Sequence, residues 1–266
     1  MKIERTDHPI EDEAYVKSCR HRLDDHGALV LDGFFNAKQI AAISAEVGPK
    51  SNEAFYAAST HNVYLTPPNP DLPADHPFNR QVRSSKGLIA DDQIPADSAL
   101  RELYYDEAFQ KFLCGVLHID AVYPYADDVS SINVHFADEG RELGWHFDNS
   151  SFAVTILLQA SEGGGEFQYV PAVRGGHKQD GHEQNSDYES EYERVAAVLD
   201  GDKAARTLEF APGALVLFRG RNALHRVTPT QGSTTRLLVV LAYNDAPGIG
   251  LSESALETFY GRTGKD

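Results

Sequence analysis

Residues 144–149 read Gly-Trp-His-Phe-Asp-Asn and place His146 and Asp148 on either side of a phenylalanine. Residues 151–159, which follow, are apolar and rich in β-branched side chains, and this composition predicts a buried strand. Side chains two positions apart in a strand lie on one face. We therefore expect His146 and Asp148 to point together into the protein interior, where an imidazole and a carboxylate suit a divalent metal ion.

A His-x-Asp pair is weak evidence by itself, since the chain contains a second one at His118 and Asp120. His118 closes an amphipathic run over residues 108–117, which predicts a helix. No further metal ligand accompanies this pair in a compatible framework. We interpret His118 as a residue at the end of a helix and not as a ligand.

The second half of the chain supplies the remaining polar groups. Residues 211–218 predict a turn and a strand, and His225 begins another strand. Residues 235–243 form the strongest strand signal in the sequence, with Arg236 near its start. Burial of a guanidinium is costly unless an anion meets it, and a dicarboxylic co-substrate would provide one.

These residues in this order resemble the Fe(II)/2-oxoglutarate-dependent oxygenases, whose pattern is His-x-Asp, a distal His and a basic residue about ten positions later. The resemblance implies that His146, Asp148 and His225 bind Fe(II), and that Arg236 pairs with the far carboxylate of 2-oxoglutarate, with O2 as the oxidant. It also implies a mainly β fold with flanking helices, a double-stranded β-helix, which is a jelly-roll and cupin-like barrel.

The stretch from 145 to 152, with Gly163 to Phe167 after it, is similar to the bacterial carrier-independent amino-acid halogenases and their hydroxylase relatives. This closer resemblance implies a free amino acid as the substrate. Halogenases of this group lack the carboxylate ligand, because chloride occupies its position, whereas this chain has Asp148. Hydroxylation is therefore the favoured outcome; desaturation, epimerisation and ring closure stay open because they begin from the same hydrogen abstraction.

Three further residues are candidates for ligand contacts. Asn133 alternates with apolar residues on a predicted strand and is expected to touch the co-substrate. Arg83 is our preferred clamp for a substrate carboxylate, with Arg80 and Arg174 as alternatives, because its position relative to His146 resembles the carboxylate-binding arginine of amino-acid oxygenases. Asn149, directly after Asp148, is expected to donate to the substrate, although a turn residue explains it equally well.

Length and composition bound the remaining possibilities. A chain of 266 residues can form one catalytic domain. The formal charge of −16 opposes binding to nucleic acid. No segment is apolar enough to cross a bilayer, and the N-terminal residues lack a secretory pattern, so we expect a cytoplasmic protein. Cys19 and Cys114 indicate neither a disulfide framework nor a thiolate metal site.

The predicted order is a single domain over 1–266. Residues 1–118 are mostly N-terminal helices and a loop, 119–245 the barrel core, and 246–266 a C-terminal tail with a helix. Residues 51–95 lack periodicity and are rich in proline, which predicts a long loop. Residues 174–202 form an insertion in the core that is expected to cover the barrel mouth, and His177 and His182 within it are interpreted as solvated loop histidines.

Two rival functions stay open. A non-catalytic, cupin-like metal-binding protein would have no need for a buried Arg236. An oxygenase that acts on a residue of a partner protein would favour an open groove over a covered mouth.

Overall fold

The computed structural model describes residues 7–174 and 185–264. Its helices and strands, in chain order, are α1 (Glu13–His26), β1 (Ala28–Leu31), α2 (Ala37–Val47), β2 (Phe55–His61), β3 (Val82–Ile89), α3 (Ala99–Tyr104), α4 (Glu107–Leu117), β4 (Ile132–Ala137), β5 (Leu143–His146), β6 (Ala153–Gln159), β7 (Gly163–Gly164), β8 (Phe167–Val170), α5 (Asn185–Leu199), β9 (Arg206–Leu208), β10 (Leu215–Phe218), β11 (Leu224–Val227), β12 (Thr230–Gln231), β13 (Arg236–Leu241) and α6 (Glu253–Tyr260).

One large antiparallel sheet forms the body of the fold, as the jelly-roll prediction requires. Its strands follow the order β1-β10-β6-β13-β4-β3-β5-β11-β8-β9, with β2 added beside β3. The sheet curls, so that residues from β3, β5, β11 and β13 line one cavity. The prediction of a mainly β fold with flanking helices is confirmed.

The N-terminal helices pack on the outside of this sheet because their sequences are amphipathic and capped. The Asp12 side chain accepts a hydrogen bond from the backbone N–H of Tyr15, so α1 begins directly after Asp12. Asn36 and Gln39 form a capping box at the start of α2. Cys19, Leu23 and Ile43 from these helices join the main hydrophobic core.

The segment 51–95 differs from the expected long loop, because it contains β2 and β3. Strand β2 lies at an edge and is largely exposed, so its sequence has no need for alternating apolar residues. Strand β3 finds its partners in β4 and β5, which lie far away in the sequence. Only residues 62–81 remain as the connection between the two strands.

The described part of the insertion, residue 174 and residues 185–202, differs from the role predicted for it. Val195 and Val198 of α5 pack with Trp145, Phe147 and Leu224 on the side of β5 and β11 that faces away from His146 and His225. The described part of 174–202 therefore supports these strands from behind and does not cover the cavity. His177 and His182 lie outside the described residues. Within the described ranges, no helix is long and apolar enough to cross a membrane.

Candidate metal centre

His146, Asp148 and His225 converge on one point of the cavity. His146 ends β5, Asp148 follows two residues later, and β11 places His225 opposite His146 in the sheet register. The Asp148 Oδ1 atom lies 3.7 Å from His146 Nε2 and 3.4 Å from His225 Nε2. Among the described residues, this is the one group of three or more His, Cys, Asp or Glu side chains with ligand atoms close enough to share a metal ion.

Backbone carbonyls orient both imidazoles. His146 Nδ1 lies 2.8 Å from the carbonyl oxygen of Gly144, and His225 Nδ1 lies 2.9 Å from that of Ala223. A carbonyl can only accept, so each Nδ1 carries the proton and donates it. This assignment leaves the Nε2 atoms to face Asp148 as metal ligands.

The three groups differ in protonation. Burial, with the neighbouring His225, lowers the pKa of His146 to about 3, so this ring is neutral. Burial also opposes a charge on His225, but the contact with Asp148 outweighs it and raises the pKa of His225. Burial likewise opposes ionisation of Asp148, but the two histidines, His225 foremost, lower its pKa overall.

The donor set fits a divalent metal ion. Asp148 Oδ2 is buried and has no hydrogen-bond partner, an arrangement that is costly in a folded protein unless another group uses the oxygen. Two imidazole nitrogens and one carboxylate on a single side are the ligands that non-haem Fe(II) takes. Within the described residues, His146, Asp148 and His225 would hold the ion.

The cavity next to these ligands has a volume of about 210 Å³. Its wall is mainly apolar, and Leu238 and Val240 of β13 contribute to it from the same face as Arg236, as the strand alternation predicts. Further apolar side chains in the wall are Phe152, Phe167, Val216 and Phe218. Such a lining keeps the polar groups that face the cavity partly desolvated.

Arg236 lies in this wall with 6% of its surface exposed. Burial lowers the pKa of its guanidinium to about 10. The Arg236 side chain forms no hydrogen bond or ion pair with any of the described residues. A methyl group on Gly165 would lie 2.8 Å from Arg236 Cδ, so a glycine there leaves room for the arginine. The unpaired guanidinium is the group that the sequence analysis assigned to the distal carboxylate of the co-substrate.

The other predicted contact residues lie outside the cavity. Arg83 is exposed, and its odd position places it on the face of β3 opposite Lys86. Asn149 is exposed, and its carbonyl oxygen accepts a hydrogen bond from Arg221. Of the two alternative clamps, Arg80 pairs with Asp200 and Arg174 with Glu191.

Asn133 is buried away from the cavity. Its side-chain oxygen accepts a hydrogen bond from the Tyr260 hydroxyl of α6, and its amide donates to the carbonyl of Ser130. Both ends of the amide are thus used within the fold, which differs from the expected contact with the co-substrate. His118 caps α4 in a left-handed conformation with φ 60° and contacts Arg20, in agreement with its interpretation as a helix-end residue.

Two basic residues of the cavity were not predicted from the sequence. Lys86 of β3 and His135 of β4 both line it, with Lys86 Nζ 3.4 Å from His135 Nε2. Ser131, Asn133 and His135 alternate with apolar residues and so predict one polar face of β4, but this alternation does not indicate which of the three reaches the cavity. Lys86 lay in a segment interpreted as a loop, where no strand face could be assigned.

Residues 80–254 match the protein family described as HalD, halogenase D. This match spans nearly two thirds of the chain and includes every residue of the candidate metal centre. The chain belongs to the halogenase D family. Curated proteins show no match to the sequence.

Three solved structures that share the fold are named for 2-oxoglutarate (α-ketoglutarate) or contain it. The α-ketoglutarate-dependent carbocyclase SnoK from nogalamycin biosynthesis is 11% identical, with 94% of this chain and 93% of that chain covered and a TM-score of 0.61. HygX from Streptomyces hygroscopicus, solved with nickel, 2-oxoglutarate and hygromycin B, is 16% identical over 94% and 97% of the two chains, with a TM-score of 0.54. A 2OG-Fe(II) oxygenase family oxidoreductase from Burkholderia pseudomallei is 14% identical over 88% and 93%, with a TM-score of 0.54.

The family match and the fold agree with the resemblance found in the sequence. This member of the halogenase D family has the jelly-roll fold of the Fe(II)/2-oxoglutarate oxygenases. It carries a carboxylate at position 148, between the two histidines of its candidate metal centre.

Proposed function

We propose that this protein is an Fe(II)- and 2-oxoglutarate-dependent dioxygenase that hydroxylates an unactivated C–H bond of a free amino acid or a similar small metabolite, with succinate and CO2 as co-products. The observation that carries the proposal is the convergence of His146, Asp148 and His225 beside a cavity that also holds the unpaired guanidinium of Arg236. Metal ligands and an anchor for a dicarboxylate are the two parts that this chemistry needs.

The residues have separate roles in this proposal. His146, Asp148 and His225 bind the metal on one side and leave the cavity side open. Arg236 binds the distal carboxylate of 2-oxoglutarate and so orients its keto acid end toward the metal. Leu238 and Val240 exclude water from the space between Arg236 and the metal. When bound, iron supplies the activation of O2 that is coupled to decarboxylation of the co-substrate.

Asp148 supports hydroxylation over halogenation. Chlorination in this group needs a halide at the coordination position that a carboxylate otherwise takes, and here a carboxylate faces both imidazoles. Chlorination is nevertheless the second candidate, because the matching family is described as a halogenase. A chlorinated product from the unchanged protein in chloride buffer would overturn the hydroxylase assignment.

The size of the cavity supports a small substrate. Its volume of about 210 Å³ lies below the roughly 300–1,000 Å³ of common ligand pockets. A free amino acid suits such a space better than a folded partner protein, although a prolyl hydroxylase from Trichoplax adhaerens with a peptide bound shares the fold at 14% identity.

The test is reconstitution without oxygen, using Fe(II) and 2-oxoglutarate, followed by exposure to air with a panel of free amino acids or a panel of peptides. We expect succinate and a product with one added oxygen atom from a member of the amino-acid panel. Turnover confined to peptides would favour the protein-directed alternative. Metal binding without any 2-oxoglutarate consumption would favour the non-catalytic, cupin-like metal-binding protein.

A further inference from the structure

Gly220 lies directly against the carboxylate of Asp148. It belongs to the turn between β10 and β11, and a methyl group built on it would overlap Asp148 Oδ2. The same methyl group would lie 2.5 Å from the Asp148 carboxylate carbon and 3.0 Å from its Cβ. These distances are too short for real carbon contacts, so a side chain at position 220 and the present position of the carboxylate exclude each other.

Backbone conformation does not explain this glycine. Gly220 is not among the described glycines with positive φ, so an ordinary residue can adopt its backbone angles. The space taken by the Asp148 carboxylate is the reason that remains.

Hydrogen bonds hold the two turns together. The Asp148 N–H donates to the Gly220 carbonyl at 3.1 Å, and Arg221 Nη2 donates to the Asn149 carbonyl at 2.8 Å. The N–H of Arg219 donates to the Gly27 carbonyl at 2.9 Å. A larger residue at position 220 could not relieve the overlap by a shift of its backbone alone. The carboxylate would rotate away from the imidazoles instead.

We propose that Gly220 is a positioning residue for the metal-binding carboxylate. Because position 220 has no side chain, the Asp148 carboxylate has the space to point toward His146 and His225. The inference rests on the proposed metal centre. The inference predicts that the residue at position 148 determines which residues position 220 tolerates. A carboxylate ligand at 148 requires glycine at 220, whereas a protein without that carboxylate tolerates a side chain there.

The test is Gly220→Ala alone and together with Asp148→Gly, with binding of Co(II) measured by calorimetry and folding by thermal unfolding. We expect Gly220→Ala to weaken Co(II) binding at least about tenfold, the loss of roughly one ligand interaction. In the Asp148→Gly protein, the added alanine should change Co(II) binding little. Gly48→Ala is the matched control, because Gly48 has open space around it and no positive φ.

Each result has one meaning. Unchanged Co(II) affinity in Gly220→Ala overturns the inference, and so does an equal loss in both backgrounds, which would point to a disrupted turn. If Gly220→Ala fails to fold, restored folding in the double variant supports it and failure there overturns it. Absence of Co(II) binding by the unchanged protein overturns the proposed function itself, which separates the two.

A second observation concerns Lys86. Its ammonium lines the cavity, 3.4 Å from His135 Nε2, and desolvation lowers its pKa to about 8. Burial and the two nearby cations, Lys86 and Arg236, hold the pKa of His135 well below its usual value, so the ring stays neutral. No carboxylate of the described residues forms an ion pair with Lys86. A cation in a mainly apolar wall is costly without an anion, and a ligand can supply it.

Charges in the cavity indicate which ligand this is. Asp148 is the one acidic side chain among the described lining residues, and Lys86 and Arg236 are the lysine and the arginine among them, both cationic at neutral pH. A divalent ion adds two positive charges, and 2-oxoglutarate brings two negative ones. The sum of these charges is then one positive charge. Because Arg236 pairs with the distal carboxylate of the co-substrate, Lys86 is the cation that is left without an anion.

The geometry points to Lys86 as an anchor for a carboxylate, and we assign this carboxylate to the substrate. This inference deepens the proposed function by stating the substrate class: a small molecule with a free carboxylate that lies near the metal. It replaces Arg83 as the clamp, since Arg83 lies on the opposite face of β3.

The test uses Lys86→Met, Lys86→Gln and the exposed control Lys38→Met, each loaded with Co(II). Calorimetry measures 2-oxoglutarate binding first, and then binding of an equimolar amino-acid mixture or of the corresponding carboxamides. We expect the unchanged protein to bind the acids and not the amides. Both Lys86 variants should lose at least about tenfold in affinity for the acids, the scale of one desolvated charge pair, with 2-oxoglutarate affinity within about twofold.

Lys86→Met should fold, because an apolar group of similar volume there replaces a desolvated cation that forms no ion pair with the described residues. A tenfold loss of 2-oxoglutarate affinity in both variants would move the carboxylate to the co-substrate and overturn the substrate assignment. Equal binding of acids and amides, or binding of neither by the unchanged protein, would also overturn it. Failure of 2-oxoglutarate to bind in the presence of metal would instead contradict the proposed function.

Discussion

At the scale of single residues, the protonation of His225 controls how readily the metal-free centre can accept an ion. Asp148 raises the pKa of this ring, while burial and His225 lower the pKa of His146. Below the raised pKa, a proton on His225 Nε2 faces Asp148 where the ion would bind. A metal ion must displace this proton before it can bind.

The first prediction concerns pH. A raised His225 pKa means that its ion pair with Asp148 stabilises the metal-free protein below the ordinary histidine value of about 6.5, and that this contribution is lost as pH rises through the raised pKa. Co(II) affinity should therefore increase with pH, about tenfold per unit below the His225 pKa, and level off above it. Titrations from acid to mildly alkaline pH measure this. A flat profile would contradict the protonation assignment.

The second prediction concerns the ligands. Replacement of His146, Asp148 or His225 by Ala removes one of three protein bonds to the ion, so Fe(II)-dependent succinate formation should fall to background in each variant. His118→Ala should retain activity, since His118 only caps α4. Near-normal turnover in any two of the three ligand variants would remove the metal assignment.

The third prediction concerns Arg236. Arg236→Leu leaves the distal carboxylate of 2-oxoglutarate unpaired in a desolvated site and should cost about 2–5 kcal/mol of binding, whereas Arg236→Lys keeps the charge and should lose less. Calorimetry with Co(II) present measures both. Arg226→Leu is the control, because Arg226 contacts Gln168 and Trp145 and does not line the cavity. Unchanged affinity in Arg236→Leu would assign the carboxylate to another cation.

Sequence alone was sufficient to select the residues that converge here. His146 and Asp148 have the two-residue spacing of one strand face, and His225 and Arg236 begin strong strand patterns. The orientation of the Asn133, Asn149 and Arg83 side chains could not be predicted from the sequence, since it depends on which face of a strand or turn meets the cavity. Asn133 shows the difficulty: it shares the polar face of β4 with His135, but α6 covers its end of the strand.

At the scale of elements, β5 and β11 carry the metal ligands on one face and buried apolar side chains on the other. Trp145, Phe147 and Leu224 point to the rear, where Val195 and Val198 of α5 meet them. Arg174 adds a cation–π contact, with its guanidinium carbon 4.2 Å from the centre of the Phe147 ring. The packing of α5 therefore supports the strands that position the ligands.

The fourth prediction tests this support. Val195 is fully buried, so Val195→Ala should leave a void behind β5 and lower the free energy of unfolding by about 1–3 kcal/mol. Glu193→Ala, on the exposed side of the same helix, should change it little. Urea unfolding of the two variants compares them. Equal midpoints would mean that α5 contributes no packing to this part of the fold.

Helices and strands with a strong local pattern were predictable from the sequence, and strands β2 and β3 were not. The apolar periodicity of residues 37–47 predicts a helix with the bounds observed for α2, because capping and an apolar face are local properties. Strands β2 and β3 escaped, since their pairing depends on segments elsewhere in the chain. The same long-range dependence hid the true place of α5.

At the scale of the whole molecule, the metal centre joins distant parts of the sequence. His146 and His225 face each other across β5 and β11 although about 80 positions separate them along the chain. The two imidazoles meet only after these strands have paired, and pairing over such distances is slow. The ion can then act only on a chain that has already assembled most of its sheet.

The consequence is kinetic, and it is our fifth prediction. An interaction that forms after the folding transition state slows unfolding and leaves the folding rate unchanged. Saturating Co(II) should therefore lengthen the lifetime of the native state in denaturant, with refolding as fast as in the metal-free protein. Stopped-flow experiments with Asp148→Ala as the control measure both rates. Faster refolding with metal would mean that β5 and β11 pair before the folding transition state. The ion would then help the sheet to form, and would not bind only after the sheet is complete.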